Sequence, residues 1–223
     1  MSETSVVVDH VFICTAVGAA AASKLVQFGL REGTSNRHLG QGTACRRFFF
    51  QNGMLELLWV EDAAEAQSEQ TRRTRLWERW SAGGRGVSPF GIVLRPAAHS
   101  KGEIPFPAWE YRPQYLPDSV LQIAAESQLA EPMWCYLEAG RRPDGAPQER
   151  RQPLEHPAGF REMTRVRIVG PPMGRGAVTA AMERAGVVLW QAAAEHLLEL
   201  EFDGNQRGHC VNFHPDLPLA FRW

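Results

Sequence analysis

The stretch Val6-Val-Val-Asp-His-Val-Phe-Ile-Cys14 decides the fold. It is β-branched and apolar on both faces, the composition of a strand covered from both sides. Gly18 and a run of alanines follow, and Ala19 to Phe28, closed by Gly29, reads as one short helix. Leu30 to Gly42 carries turn formers, and Ala44 to Gln51 is aromatic enough for a second strand. Asn52-Gly53 then signals a hairpin, because both residues tolerate the positive φ of a type I′ turn. Met54 to Val60 is the returning strand. Residues 1–62 therefore read as a βαβββ unit.

The end of the chain repeats this order. Met163 to Val169 is a strand, Gly and Pro punctuate, Ala177 to Ala185 is a helix, and strands follow near Val187 to Gln191, Leu197 to Phe202 and Leu217 to Trp223. The expected fold is α+β: two βαβββ modules, 1–62 and 160–223, fused into one domain around a cupped mixed sheet. Residues 63–159 read as an irregular insertion. In it, Glu61 to Gly83 favours helix, with Leu76, Trp77 and Trp80 on one face. Phe90 to Arg95, Val120 to Ala125 and Met133 to Leu137 read as strands. The prolines of Ile104 to Pro113 predict an extended, unpaired aromatic loop, and Arg141 to His156 is a charged connector.

Composition narrows the function. With 223 residues, 44% hydrophobic and 22% charged, the chain is an ordinary globular protein. A net charge of −1, with arginines in short dispersed pairs, excludes nucleic acid as a main partner. The four cysteines form no zinc-type pair and read as free thiols of a reducing compartment. Asp9 and His10 interrupt the apolar start and no basic segment precedes it, so no export signal is expected, and no run approaches the roughly 18 apolar residues of a membrane span. A cytoplasmic protein without membrane contact is the expectation. Gly40-Gln-Gly-Thr43 and Gly170 to Gly176 lack the phosphate-loop and dinucleotide fingerprints and read as turns. No Gly-x-Ser-x-Gly elbow is present.

Asp9-His10-Val11 and Leu55-Glu56-Leu57, with Gly40-Gln-Gly-Thr43, Arg46 to Phe50, Leu55 to Trp59 and Leu76-Trp-Glu-Arg-Trp80, resemble the vicinal-oxygen-chelate superfamily, and within it bacterial glyoxalase-like proteins. This match covers most of residues 9–90; the C-terminal third matches in pattern only. The resemblance implies a small-molecule lyase, isomerase or dioxygenase acting on a carbonyl or vicinal-oxygen substrate. It also implies a divalent metal ligated by His10 and Glu56, and Glu56 as catalytic base. A buried carboxylate in an apolar strand needs a partner or a shifted pKa, which makes Glu56 the strongest single candidate.

Laying the second module on the first puts Arg165 on His10 and Pro218 on Glu56, and neither coordinates a cation. Two alternatives follow: a shifted register in which His209, His214, Glu199 or Glu201 completes a metal site, or a pocket in which Arg165 faces Glu56 and holds a substrate carboxylate. Trp59, Trp77, Trp80 and Trp109 are candidate pocket walls, and Tyr111 and Arg112 candidate substrate contacts on a closing loop. Their structural alternatives are core filling and surface packing. A binding protein on the same scaffold with a degenerate metal site, or an interaction module exposing Trp109 and Tyr111, are the competing functions. The expected partner is a small-molecule ligand, and the chain is a monomer or a homodimer.

Overall fold

A computed structural model describes residues 5–98, 100 and 102–223. The strands are β1 (Val6–Cys14), β2 (Asn36–His38), β3 (Thr43–Phe49), β4 (Met54–Val60), β5 (Phe90–Pro96), β6 (Ala108–Tyr111), β7 (Leu121–Ala124), β8 (Met133–Leu137), β9 (Met163–Gly170), β10 (Leu189–Ala192), β11 (Leu197–Phe202), β12 (Cys210–Asn212) and β13 (Leu219–Arg222). The helices are α1 (Ala22–Phe28), α2 (Ala63–Ala66), α3 (Leu76–Ser81) and α4 (Ala177–Arg184). The α+β class and the mixed sheets agree with expectation. No helix among the described residues is long and apolar enough to cross a membrane.

The partner of the first module is not where the sequence suggests. One eight-stranded sheet runs β2-β3-β4-β1-β5-β8-β7-β6. At its centre β1 and β5 are antiparallel, and each is flanked by a parallel strand, β4 beside β1 and β8 beside β5. The order is thus mirrored about the centre, and its second arm is residues 90–137, inside the segment expected to be irregular. Residues 163–222 form a separate sheet, β10-β9-β11-β13-β12. It repeats the same centre with fewer strands: β9 and β11 antiparallel, β10 and β13 their parallel flanks. Hence β13 belongs with β11, and aligning Leu217–Leu219 with Leu55–Leu57 behind β9 joins strands of different halves.

Prolines explain the hidden arm. Pro105, Pro107 and Pro113 make Ile104 to Pro113 look unpaired, yet Ala108–Tyr111 between them ladders with β7. It is an edge strand, where a missing N–H costs least.

A single large core fills the face shared by the two sheets, including Val11, Leu55, Leu57 and Trp134 from one and Ile168, Leu198 and Phe221 from the other. The opposite face of the eight-stranded sheet carries a second cluster with Phe12, Cys45, Leu58, Val93 and Cys135. A bulge assigns the strand faces. The ladder between β1 and β5 slips between Val8 and His10, so Val6 and Val8 share a face with Val11 and Ile13. His10 then joins Phe12 on the other, cupped face, which is how a bulge re-aims a side chain. Phe12 lies across Gly91, where a built Cβ would stand 1.9 Å from its ring.

The Asn52-Gly53 hairpin forms, with Phe49 opposite Met54, but neither residue is among those with positive φ. Gly53 is needed because a Cβ would stand 2.8 Å from the Asp9 carbonyl oxygen. Asn52 ties the two sheets, donating from Nδ2 to the Met163 carbonyl at 2.8 Å and accepting the Met163 N–H at 2.9 Å. Asn52→Ala is expected to cost about 1–3 kcal/mol, two hydrogen bonds at about 0.5–1.5 each, measured as a lower urea midpoint.

Candidate functional site

On the cupped face of the eight-stranded sheet, β1, β2, β3 and β4 aim polar side chains into a cavity of about 170 Å³. At about 30 Å³ per liquid water this is room for roughly six waters. Glu56 of β4 is 6% exposed. Arg47 stands opposite it across the ladder and Phe12 lies beside it.

His10 enters the cavity with its orientation fixed. Its Nδ1–H donates to Asp9 Oδ1 at 2.6 Å, and Arg95 Nε stands 3.3 Å from Asp9 Oδ2. Nε2 makes no protein hydrogen bond among the described residues. Burial opposes protonation of His10, but the Asp9 hydrogen bond and the charges of Glu56 and Asp9 outweigh it, and its pKa is raised, with Arg47 opposing.

His38 behaves in the opposite way. Burial lowers its pKa, Glu56 offsets part of this, and Arg47 and His10 add to it. Its Nδ1 is 2.8 Å from Thr43 Oγ1, which also accepts from Gln41 Nε2 at 2.8 Å. Nε2 then faces Cys45 Sγ at 4.0 Å. One cavity therefore holds two imidazoles whose pKa values shift in opposite directions.

One nitrogen, sulfur and oxygen from His38, Cys45 and Glu56 lie within 4.8 Å of one another, close enough to hold a metal ion. The set is one-sided. The positions of the second arm that correspond to His10 and Glu56 lie on β5 and β8, where Gly91, Val93, Met133 and Cys135 stand. None is an imidazole or carboxylate.

The Cys45 thiol is strongly raised by burial, then by the charge of Glu56. Burial likewise pushes Cys14 and Cys135 up to about 12, against the pull of Arg79. Iodoacetamide at neutral pH is therefore expected to label exposed Cys210 well before the other three cysteines, as read by peptide mass spectrometry.

The fold is shared with a solved Staphylococcus aureus structure. That structure, described as a hypothetical protein, aligns over 97% of this chain and 99% of its own with a TM-score of 0.55 and 9% identity. A looser match is a xylose isomerase-like TIM barrel/4-hydroxyphenylpyruvate dioxygenase fusion protein, 9% identical, covering 91% of this chain and 37% of that one at a TM-score of 0.45. The first likeness establishes the fold alone and the second carries no weight. No family model matches the chain, and neither does any curated protein.

Of the residues singled out from the sequence, Glu56, His10 and Tyr111 come together around the cavity. The rest do not. Arg165 lies on the other sheet, half exposed, 3.7 Å from Glu201, so it does not face Glu56. Trp59 points to the opposite face of β4 and packs on the inter-sheet core. Trp77 and Trp80 contact each other at 5.6 Å, and Trp80 Nε1 donates to the Thr15 carbonyl at 2.8 Å, away from Glu56. Arg112 is exposed and paired with Glu110 at 2.8 Å.

The alternative ligands fare no better: Glu199 pairs with Arg167 and Arg222, and His214 with Glu195. Trp109 and Tyr111 form no exposed aromatic patch, since Tyr111 is buried and Arg73 covers the Trp109 ring at 4.2 Å. Sequence reasoning missed His38, Cys45, Arg47 and Tyr115. Arg47 and Cys45 share the parity of an inward-facing β3, a signal that was available; His38 sits on a three-residue strand in a turn-rich run and gave none.

Proposed function

We propose that the chain is a small-molecule enzyme of the glyoxalase-like type, in which Glu56 takes a proton from a carbon beside a carbonyl. The observation that supports this best is Glu56 itself: a buried carboxylate on the wall of a small cavity, with Arg47 opposite and two imidazoles of divergent pKa beside it. Arg47 would hold a substrate carboxylate. As the C–H bond breaks, its proton passes to a Glu56 oxygen and its electron pair to the carbonyl oxygen, an enolate that His10 in its imidazolium form, protonated on both ring nitrogens, hydrogen-bonds through Nε2–H. Return of the proton to the neighbouring carbon is an isomerisation; loss of a β-substituent is a lyase reaction.

A divalent cation fits His38, Cys45 and Glu56, whose mixed nitrogen, sulfur and oxygen donors suit zinc. Thr43 fixes the His38 ring as an outer-shell partner does. When bound, such a cation supplies Lewis-acid polarisation of the carbonyl oxygen. Glu56 would then serve both as a donor to the cation and as the proton acceptor.

In D₂O with a panel of small 2-oxo and 2-hydroxy carboxylates, wild-type protein is expected to exchange the proton beside the carbonyl of at least one compound, followed by proton NMR. Arg47→Met is expected to raise KM more than it lowers kcat. A panel left unexchanged contradicts the enzyme reading. The second reading, binding without chemistry, is favoured by the missing ligands on β5 and β8; saturable binding without exchange selects it.

A further inference from the structure

A second, larger cavity of about 820 Å³ lies between the start of α1, α3 and the loops of the second sheet, and shares no lining residue with the Glu56 cavity. Arg79, 4% exposed, is among its lining residues. Nη1 of Arg79 donates to the carbonyls of Ser88, Leu129 and Glu131. Nε is buried without a partner, and Nη2 makes no hydrogen bond or ion pair among the described residues.

A guanidinium removed from water calls for an anion or a full set of acceptors. The carboxylate whose charge Arg79 feels, that of Glu131, instead accepts the Thr179 N–H at 3.1 Å. His196 lines the same cavity and its Nε2 is likewise buried without a partner. Burial, then the Arg79 charge, lowers the His196 pKa.

Apolar surfaces of Trp80, Pro89, Pro171 and Pro218 make up much of the remaining wall. Glu195 and Asp216 stand at the rim, 82% and 49% exposed at their side chains. One buried cation, two exposed acids and apolar lining surfaces select a singly charged anion with an apolar body, and the volume suits a small organic molecule.

We infer that this cavity is a binding site for an organic monocarboxylate, held at its carboxylate by Arg79 and His196 Nε2–H and along its body by Trp80 and the prolines. Nothing in this assignment depends on chemistry at Glu56.

The test is titration of the ¹⁵N-labelled full chain with 2-naphthoate, following the Trp80 indole N–H. A saturable shift is expected, with the neutral isostere 2-naphthylmethanol binding at least tenfold more weakly, as a charge-assisted hydrogen bond requires. Arg79→Gln is expected to weaken 2-naphthoate at least tenfold. Because Nη1 also holds three carbonyls, that variant can lose its fold, so Ala20→Trp, which fills the cavity from its exposed rim without touching Arg79, is expected to weaken binding by a similar factor. Acid and alcohol binding equally, no saturable shift, or full affinity in Ala20→Trp each overturn the proposal. Tighter binding of 2-naphthyl phosphate than of 2-naphthoate overturns the monocarboxylate assignment.

Discussion

Glu56→Gln is expected to lower the rate of proton exchange by about 10²–10⁴-fold, the usual contribution of a positioned general base. The replacement keeps the shape of the side chain, so the cavity wall it shares with Phe12 and Leu58 is preserved. It removes the proton-accepting oxygen and the negative charge that raises both His10 and His38. The loss is therefore expected in kcat, with the melting temperature nearly unchanged. A variant that unfolds more easily but exchanges protons at the wild-type rate assigns Glu56 to structure instead.

The largest stability effect is expected at Phe202, at the end of β11. Its ring is fully buried, stacks on Phe160 at 4.2 Å, and meets Phe50 at 4.6 Å and Phe221 at 5.3 Å. Phe50 belongs to the hairpin of the first sheet, so this cluster joins the two sheets. Phe202→Ala removes a whole ring from a close-packed interior and leaves a cavity between them. The expected cost is about 3–5 kcal/mol, measured by urea unfolding, with the denaturant slope kept if the transition stays two-state. Phe28→Ala, on the half-buried side of the same aromatic group, is expected to cost less.

What could be read from the sequence follows how local the signals are. The strand Val6 to Cys14, the helix ended by Gly29, and the hairpin at Asn52-Gly53 each announce themselves within a few residues, and all form. Among the described residues the second arm of the main sheet has no crossover helix of the α1 kind, and its first short strand hides among prolines, so the pairing of β5 with β1 was invisible. The C-terminal third does carry strand, helix and strands, and the pattern was real; what it could not tell was that β13 joins β11 and not β9.

The site was partly legible for the same reason. Glu56 and His10 stand out as polar residues in apolar strands. The bulge at Asp9 that turns His10 inward, and the edge strand that brings in His38, depend on register and tertiary pairing, which the sequence does not display. Arg165 was matched to His10 by pattern, and the separate second sheet carries it away.

The central claim is that small carboxylate substrates bind on the cupped face beside Glu56. Methionine methyl groups report this directly. Met54 and Met133 line that cavity, Met163 lines a different one, and Met173 and Met182 line neither. With ¹³C-methyl-methionine protein and a carboxylate that exchanges its proton, saturable shifts are predicted at Met54 and Met133, with Met163, Met173 and Met182 unmoved. Shifts confined to the latter three, with Met54 and Met133 unmoved at saturation, contradict it.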